Sequence, residues 1–80
     1  MTPAEMTIAR KNERAAKLIR KGMVDKDISN LSELADRIGM SKSTLYEKMK
    51  APLSMSGTEL YLLSLAVGLR VSELFGEVRA

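Results

Sequence analysis

The sequence contains no cysteine and no histidine. Without cysteine there is no disulfide framework, no thiolate metal site and no reason to invoke an oxidising compartment. Without histidine the commonest general base and the commonest metal ligand are both missing, which leaves an enzyme without a candidate catalytic site. Tryptophan is absent too, and aromatic residues make up only 4% of the chain, too few for the stacking platforms that bind single-stranded nucleic acid. Long apolar runs are lacking. The longest stretch, Leu60 to Leu69, is interrupted by Ser64 and Gly68 and falls short of the roughly 18 residues needed to span a bilayer. Met1 to Arg10 has neither an apolar core segment nor a small-residue cleavage site, so an intracellular protein is expected.

What is present is a chain of 80 residues, 45% hydrophobic and 29% charged, which suits one globular domain spanning 1–80. The net charge of +3 is unevenly placed. Six basic residues (Arg10, Lys11, Arg14, Lys17, Arg20, Lys21) oppose two acidic ones before Asp25, and three lysines oppose Glu47 between Ser41 and Pro52. The intervening and final segments are net acidic. Two separated basic blocks on one small domain suit a polyanionic partner.

Helical periodicity dominates, and no strand pattern, repeat or low-complexity segment interrupts it. Five helices are expected at about 6–21, 31–38, 42–50, 57–68 and 72–76. In the first, Ile8, Ala15, Ala16, Leu18, Ile19 and Met23 share one side at about 100° per residue, while Arg10, Arg14, Lys17 and Lys21 share the other. Gly22 is placed to end this helix or loosen its last turn, and Val24 to Ser29 read as a connector. Asn30 is a favoured N-cap, with Glu33 completing a capping-box-like pair. Leu31, Leu34, Ala35 and Ile38 follow as a core stripe, and Gly39 stops the helix by entering the left-handed conformation. Ser41 caps the third helix, whose inward residues are Leu45 and Met49 and whose Ser43, Tyr46, Glu47 and Lys50 face away. Pro52 enforces a break. Ser56 and Glu59 form a further capping box, heading a helix that is apolar over most of its circumference. Met6, Met23, Met40, Met49 and Met55 read as core filler or loop anchors.

The segment from Asn30 to Lys50 carries the most information. It joins a capped helix, a small residue at Ala35 that permits close approach, a glycine turn four residues on, and a capped second helix anchored by Leu45. Such a turn leaves one face of the second helix protruding, at a width that the major groove of B-DNA accepts. The fixed offsets of Ala35, Gly39, Met40 and Leu45 resemble the helix-turn-helix of the Cro/C1-type, or lambda-repressor-like, DNA-binding domains. The upstream helix, the Thr58 to Leu69 segment and the Val71-Ser72-Glu73-Leu74-Phe75 ending are similar to that family's five-helix layout, so the resemblance runs from about Ile8 to Phe75.

The resemblance implies an all-α, lambda-repressor-like fold and a sequence-specific transcriptional regulator of bacterial or phage type. It would be a repressor or autoregulator that binds double-stranded DNA as a homodimer in the cytoplasm, beside the nucleoid of a bacterial host. It implies base contacts from Lys42, Ser43 and Glu47, base or backbone contacts from Thr44 and Tyr46, and phosphate contacts from Ser41, Lys48 and Lys50. Lysine can donate to guanine's major-groove edge, a carboxylate can accept from the cytosine amino group, and serine is permissive. Glu47 can alternatively pair with Lys50. The stripe on the first helix is either a solvated face or a phosphate contact, with Arg14 and Lys17 as its candidates. Many family members have Gln where this chain has Leu31 and Lys42, and its connector from Val24 to Ser29 is longer. The homodimer rests on the apolar breadth of Leu60 to Leu69 and on Val71, Leu74, Phe75 and Val78. A protein-interaction module, antirepressor-like or antitoxin-like, is the alternative. A Ser41–Lys42 catalytic pair is set aside, because adjacent helical residues do not face each other. No catalytic residue, metal, cofactor, small-molecule substrate or membrane contact is expected.

Overall fold

The structure, a computed structural model, describes residues 2–76. It is all-helical, in the order α1 (Pro3–Asp25), α2 (Leu31–Ile38), α3 (Lys42–Lys48), a single 3-10 turn (Pro52–Ser54), α4 (Gly57–Val67) and α5 (Val71–Phe75). Among the described residues there is no strand, and no helix is long and apolar enough to cross a membrane.

The first helix is longer at both ends than its apolar pattern suggests. Its start is fixed by Thr2, whose hydroxyl accepts the Glu5 N–H at 3.2 Å while the Glu5 carboxylate accepts the Thr2 N–H at 2.8 Å. Pro3 sits at the first helical position, where its missing donor costs nothing. The helix then runs straight through Gly22 to Asp25. Gly22 is therefore not a stop signal. A Cβ at this position would lie 2.6 Å from the Val67 carbonyl oxygen and 2.8 Å from the Val67 Cβ, so glycine is what allows α1 and α4 to touch backbone to backbone. The connector is correspondingly short. Asp27 takes a left-handed turn at φ 57°, and Ile28 drops into the core with its N–H on the Met23 carbonyl at 2.8 Å.

Local chemistry sets the other boundaries. Asn30 caps α2 by accepting the Glu33 N–H at 2.9 Å, but Glu33 reaches back to the N–H of Ser29 rather than to that of Asn30. Gly39 ends α2 at φ 72°, and Met40 returns its N–H to the Ala35 carbonyl at 2.9 Å. α3 closes at Lys48, with Met49 and Lys50 in the turn that follows. Pro52 is buried and starts the 3-10 turn, which α1 secures through Asn12: its side-chain oxygen accepts the Leu53 N–H at 2.8 Å. Ser56 and Glu59 form the reciprocal cap of α4, and α5 begins at Val71 behind Arg70.

The core comprises Ile19 and Met23 of α1, Ile28, Leu31, Leu34, Ala35 and Ile38 around α2, Leu45 and Met49 from the α3 region, Met55, and Leu60, Leu63, Val67 and Leu74. α1 packs on α4, α5 and the 3-10 turn, α2 packs on both α3 and α4, and α3 rests principally on α2. Leu31 is 4% exposed, which explains a hydrophobe at the head of α2: it fills the interior. The expected apolar face of α1 holds from Ala15 onward but not at Ile8, which is 59% exposed, nor at Met6, because every residue from Thr2 to Lys11 is exposed. Leu74 is wholly interior and so belongs to the core rather than to a pairing surface. Val78 lies outside the described residues.

Candidate nucleic-acid interface

α3 is built to protrude. Of its seven residues only Leu45 is buried, and Met49 in the next turn is the second inward anchor. The spacing of four brings both onto one side, so Lys42, Ser43, Thr44, Tyr46 and Glu47 are left exposed. Ser41 holds the helix start, accepting the Thr44 N–H at 3.2 Å and donating its own proton to the Thr44 hydroxyl at 2.7 Å. Two of the expected base-reading side chains carry local restraints. The Lys42 ammonium stands 5.7 Å from the centre of the Tyr46 ring, a cation–π contact of about 0.5–1 kcal/mol at an exposed site. Glu47 pairs with Lys50 at 3.2 Å, both side chains open to solvent, so its negative charge is partly answered on the same surface.

Seven of the ten sequence-derived site residues thus sit together on α3 and its flanking turns: Ser41, Lys42, Ser43, Thr44, Tyr46, Glu47 and Lys50. Lys17 is exposed on α1, apart from that group. The remaining two are engaged elsewhere. Arg14 donates to the Glu73 carbonyl at 3.0 Å, and Lys11 donates to that of Phe75 at 3.4 Å. These cations reinforce the carbonyls at the C-terminal end of α5, where the Glu73 carbonyl also accepts the Gly76 N–H at 3.1 Å and the helix dipole favours positive charge. Lys48 points to α4, its ammonium 2.9 Å from Glu59 Oε1. The structure thus gives both Lys48 and Arg14 partners within the domain.

The basic residue of α1 that does adjoin α3 is Arg20. It lines a cleft with Ser29 and Asn30 at the head of α2 and with Tyr46 of α3. Sequence reasoning passed over it because Arg20 lies off the Arg10–Lys21 stripe. Six residues separate it from Arg14, which places the two on different flanks of α1 at 100° per residue.

Carboxylates at three helix heads are held below their ordinary range by hydrogen bonds. The Thr2 N–H acts on Glu5, the Ser29 N–H on Glu33 (with Arg37 at 3.0 Å adding to it), and the Lys48 ammonium followed by the Ser56 N–H on Glu59. α3 has no acidic residue in its first turn, so its exposed N-terminal end carries a lysine and hydroxyls alone.

The site is thus a protruding short helix, led here by Lys42 and set on the left-handed turn at Gly39. Residues 18–78 match the Cro/C1-type HTH DNA-binding domain. No curated protein and no solved structure gave a match. The match starts within α1 and leaves the first 17 residues outside it, including the exposed first turns of α1. With most of the chain matched, and with α2, Gly39 and α3 arranged as described, this protein belongs to the Cro/C1-type helix-turn-helix DNA-binding domain family.

Proposed function

We propose that the protein is a sequence-specific transcriptional regulator that inserts α3 into the major groove of double-stranded DNA, acting as a bacterial or phage repressor or autoregulator. The observation that carries this reading is the exposure of every α3 residue before Lys48 except the anchoring Leu45. Lys42 donates to a guanine edge from the tip, Ser43 and Glu47 read adjacent positions, and Thr44 and Tyr46 lie against backbone or a thymine methyl. Ser41 and Lys50 contact phosphate. Lys17 reaches phosphate from α1 as a more distant contact. Arg20, beside the N-terminal end of α2, adds a further phosphate contact, where a positive side chain and a helix dipole attract the same charge.

The protein acts as a homodimer, because one such domain reads only a few base pairs. Support comes from α4. Its outer surface carries Tyr61, Leu62 and Leu65 at 57%, 40% and 59% exposure, and Glu59, the one charged residue of the helix, is turned to Lys48. Leu69, Val71 and Phe75 are partly buried at its edge.

Selection of bound duplexes from a random pool tests the function. The expected outcome is an enriched palindromic motif whose affinity falls steeply with salt as counterions are released. Recovery of the input pool unchanged would remove the DNA-reading role, and an enriched single half-site bound by one copy would remove the dimer.

A further inference from the structure

Lys48 is the one lysine of α3 whose position is not explained by a groove-facing role. Its side chain is only one-third exposed, and it spans to Glu59 Oε1 on a different helix at 2.9 Å. That same oxygen accepts the Ser56 N–H at 3.0 Å. One carboxylate atom therefore closes the cap of α4 and holds α3 at the same time.

The hydrophobic base beneath α3 is narrow. Its inward anchors are Leu45 and, just past its end, Met49, and it packs principally on α2. A short helix resting on two anchors in line is fixed in position but weakly fixed in rotation about that line. An ionic link from Lys48 to α4 acts from the side and opposes that rotation. Lys42, Ser43 and Glu47 stand off that line, so a small rotation about it swings all three around the helix relative to the base edges they are proposed to read.

We propose that Lys48 is a positioning residue: the Lys48–Glu59 bridge sets the rotation of α3 about its Leu45–Met49 line and so determines how Lys42, Ser43 and Glu47 are presented to base edges, while Lys48 itself touches no phosphate. This inference rests on the DNA-reading role proposed above. The pair also ties the reading helix to the helix that carries Tyr61, Leu62 and Leu65, so the reading surface and the apolar surface share one frame.

Glu59→Gln and Lys48→Met separate the possibilities. Glutamine keeps the acceptor that a capping box needs but not the charge, and methionine keeps most of the aliphatic length. Each variant, and the double variant, is compared with the unaltered chain on a duplex selected by that chain and on a scrambled duplex, across a salt series. Unfolding curves confirm that all four are folded at the temperature used. Each single variant is expected to weaken the selected duplex roughly three- to fivefold, at the upper end of what a partly exposed ion pair contributes. The double variant is expected to lose no more than either single one, and the dependence of log affinity on log salt is expected to stay the same. Weakening by Glu59→Gln is the decisive sign, since removing a negative charge from a DNA-binding domain otherwise tightens binding. If Lys48 instead met phosphate, Lys48→Met would reduce the salt slope by about one and Glu59→Gln would not weaken binding. That result overturns the positioning role alone, as does a null effect of both variants. Failure of the unaltered chain to select any duplex overturns the DNA-reading role, and the positioning role with it.

Discussion

α3 and α4 are both short helices started by a serine cap, yet they turn opposite kinds of surface outward. α3 shows Lys42, hydroxyls, Tyr46 and a Glu47 carboxylate paired with Lys50, groups that water solvates well. α4 shows Tyr61, Leu62 and Leu65, which gain nothing from water. The two also differ in how they are held. α4 is buried along Leu60, Leu63, Ser64 and Val67 and meets α1 backbone to backbone at Gly22, whereas α3 depends on Leu45 and Met49. A polar exposed surface needs no partner to be stable, so its function must be read from geometry. An apolar exposed surface asks for one, since each buried Å² of it is worth roughly 25 cal/mol.

The strongest test of this contrast removes the support of α3. Leu45→Ala deletes a side chain with no exposed area and is expected to cost about 2–5 kcal/mol of folding stability, measured as a shift in the denaturant midpoint. A loss well below that range would mean that α3 is held by something other than its apolar base. Next is the support of α4. Gly22→Ala places a methyl group against the Val67 carbonyl oxygen and Cβ, and a loss of about 1–3 kcal/mol in thermal unfolding is expected although alanine is the better helix former. Stabilisation would show that the α1–α4 contact is looser than the structure has it.

The reading surface comes third. Lys42→Ala is expected to cost about 1–3 kcal/mol on the selected duplex and to relax a single base position, while Lys50→Ala weakens all sequences alike. Identical, sequence-independent losses in a binding titration would contradict the division of roles. The fourth test concerns the apolar surface. Leu65→Glu is expected to change the stability of the isolated subunit by no more than about 0.5 kcal/mol, as exposed substitutions do, while sedimentation shows pairing lost. A variant that still sedimented as a pair would place the dimer contact elsewhere.

The smallest effect is a response to acid. The Glu59 carboxyl is held low first by Lys48 and then by the Ser56 N–H. Its contribution is therefore complete at neutral pH and is lost as pH falls below the ordinary carboxylate range. Urea midpoints followed into acid should decline less in Glu59→Gln than in the unaltered chain; parallel declines would mean that Glu59 carries none of the effect.

Much of the frame could be read from residue types because it is fixed locally. Gly39 can take the left-handed turn, Asn30, Ser41 and Ser56 can cap, and Leu45 lies at the right offset from each, so α2 and α3 begin where expected and α2 ends there too. The cap at Thr2 was equally local, but it precedes a polar stretch with no apolar rhythm to draw attention to it. What escaped sequence reasoning is what depends on distant neighbours. Gly22 looks like a helix stop until Val67 is seen beside it. Ile28 looks like a connector residue until the core closes over it, and Asn12 is unremarkable without Leu53. Ile8 keeps the period of the buried side but has no body beneath it. Charges were the least legible, since Arg14, Arg20, Lys48 and Lys50 are alike in type and are told apart only by what tertiary packing puts within reach.

The meeting of Gly22 with Val67 has a mechanical corollary. Where side chains separate two helices, rotamer changes can absorb a displacement; where peptide abuts peptide, there is nothing compliant in between. Strain entering the domain must then pass through this seam as motion of α1 and α4 together, so any adjustment between them and the rest of the fold falls on the connectors on either side of it.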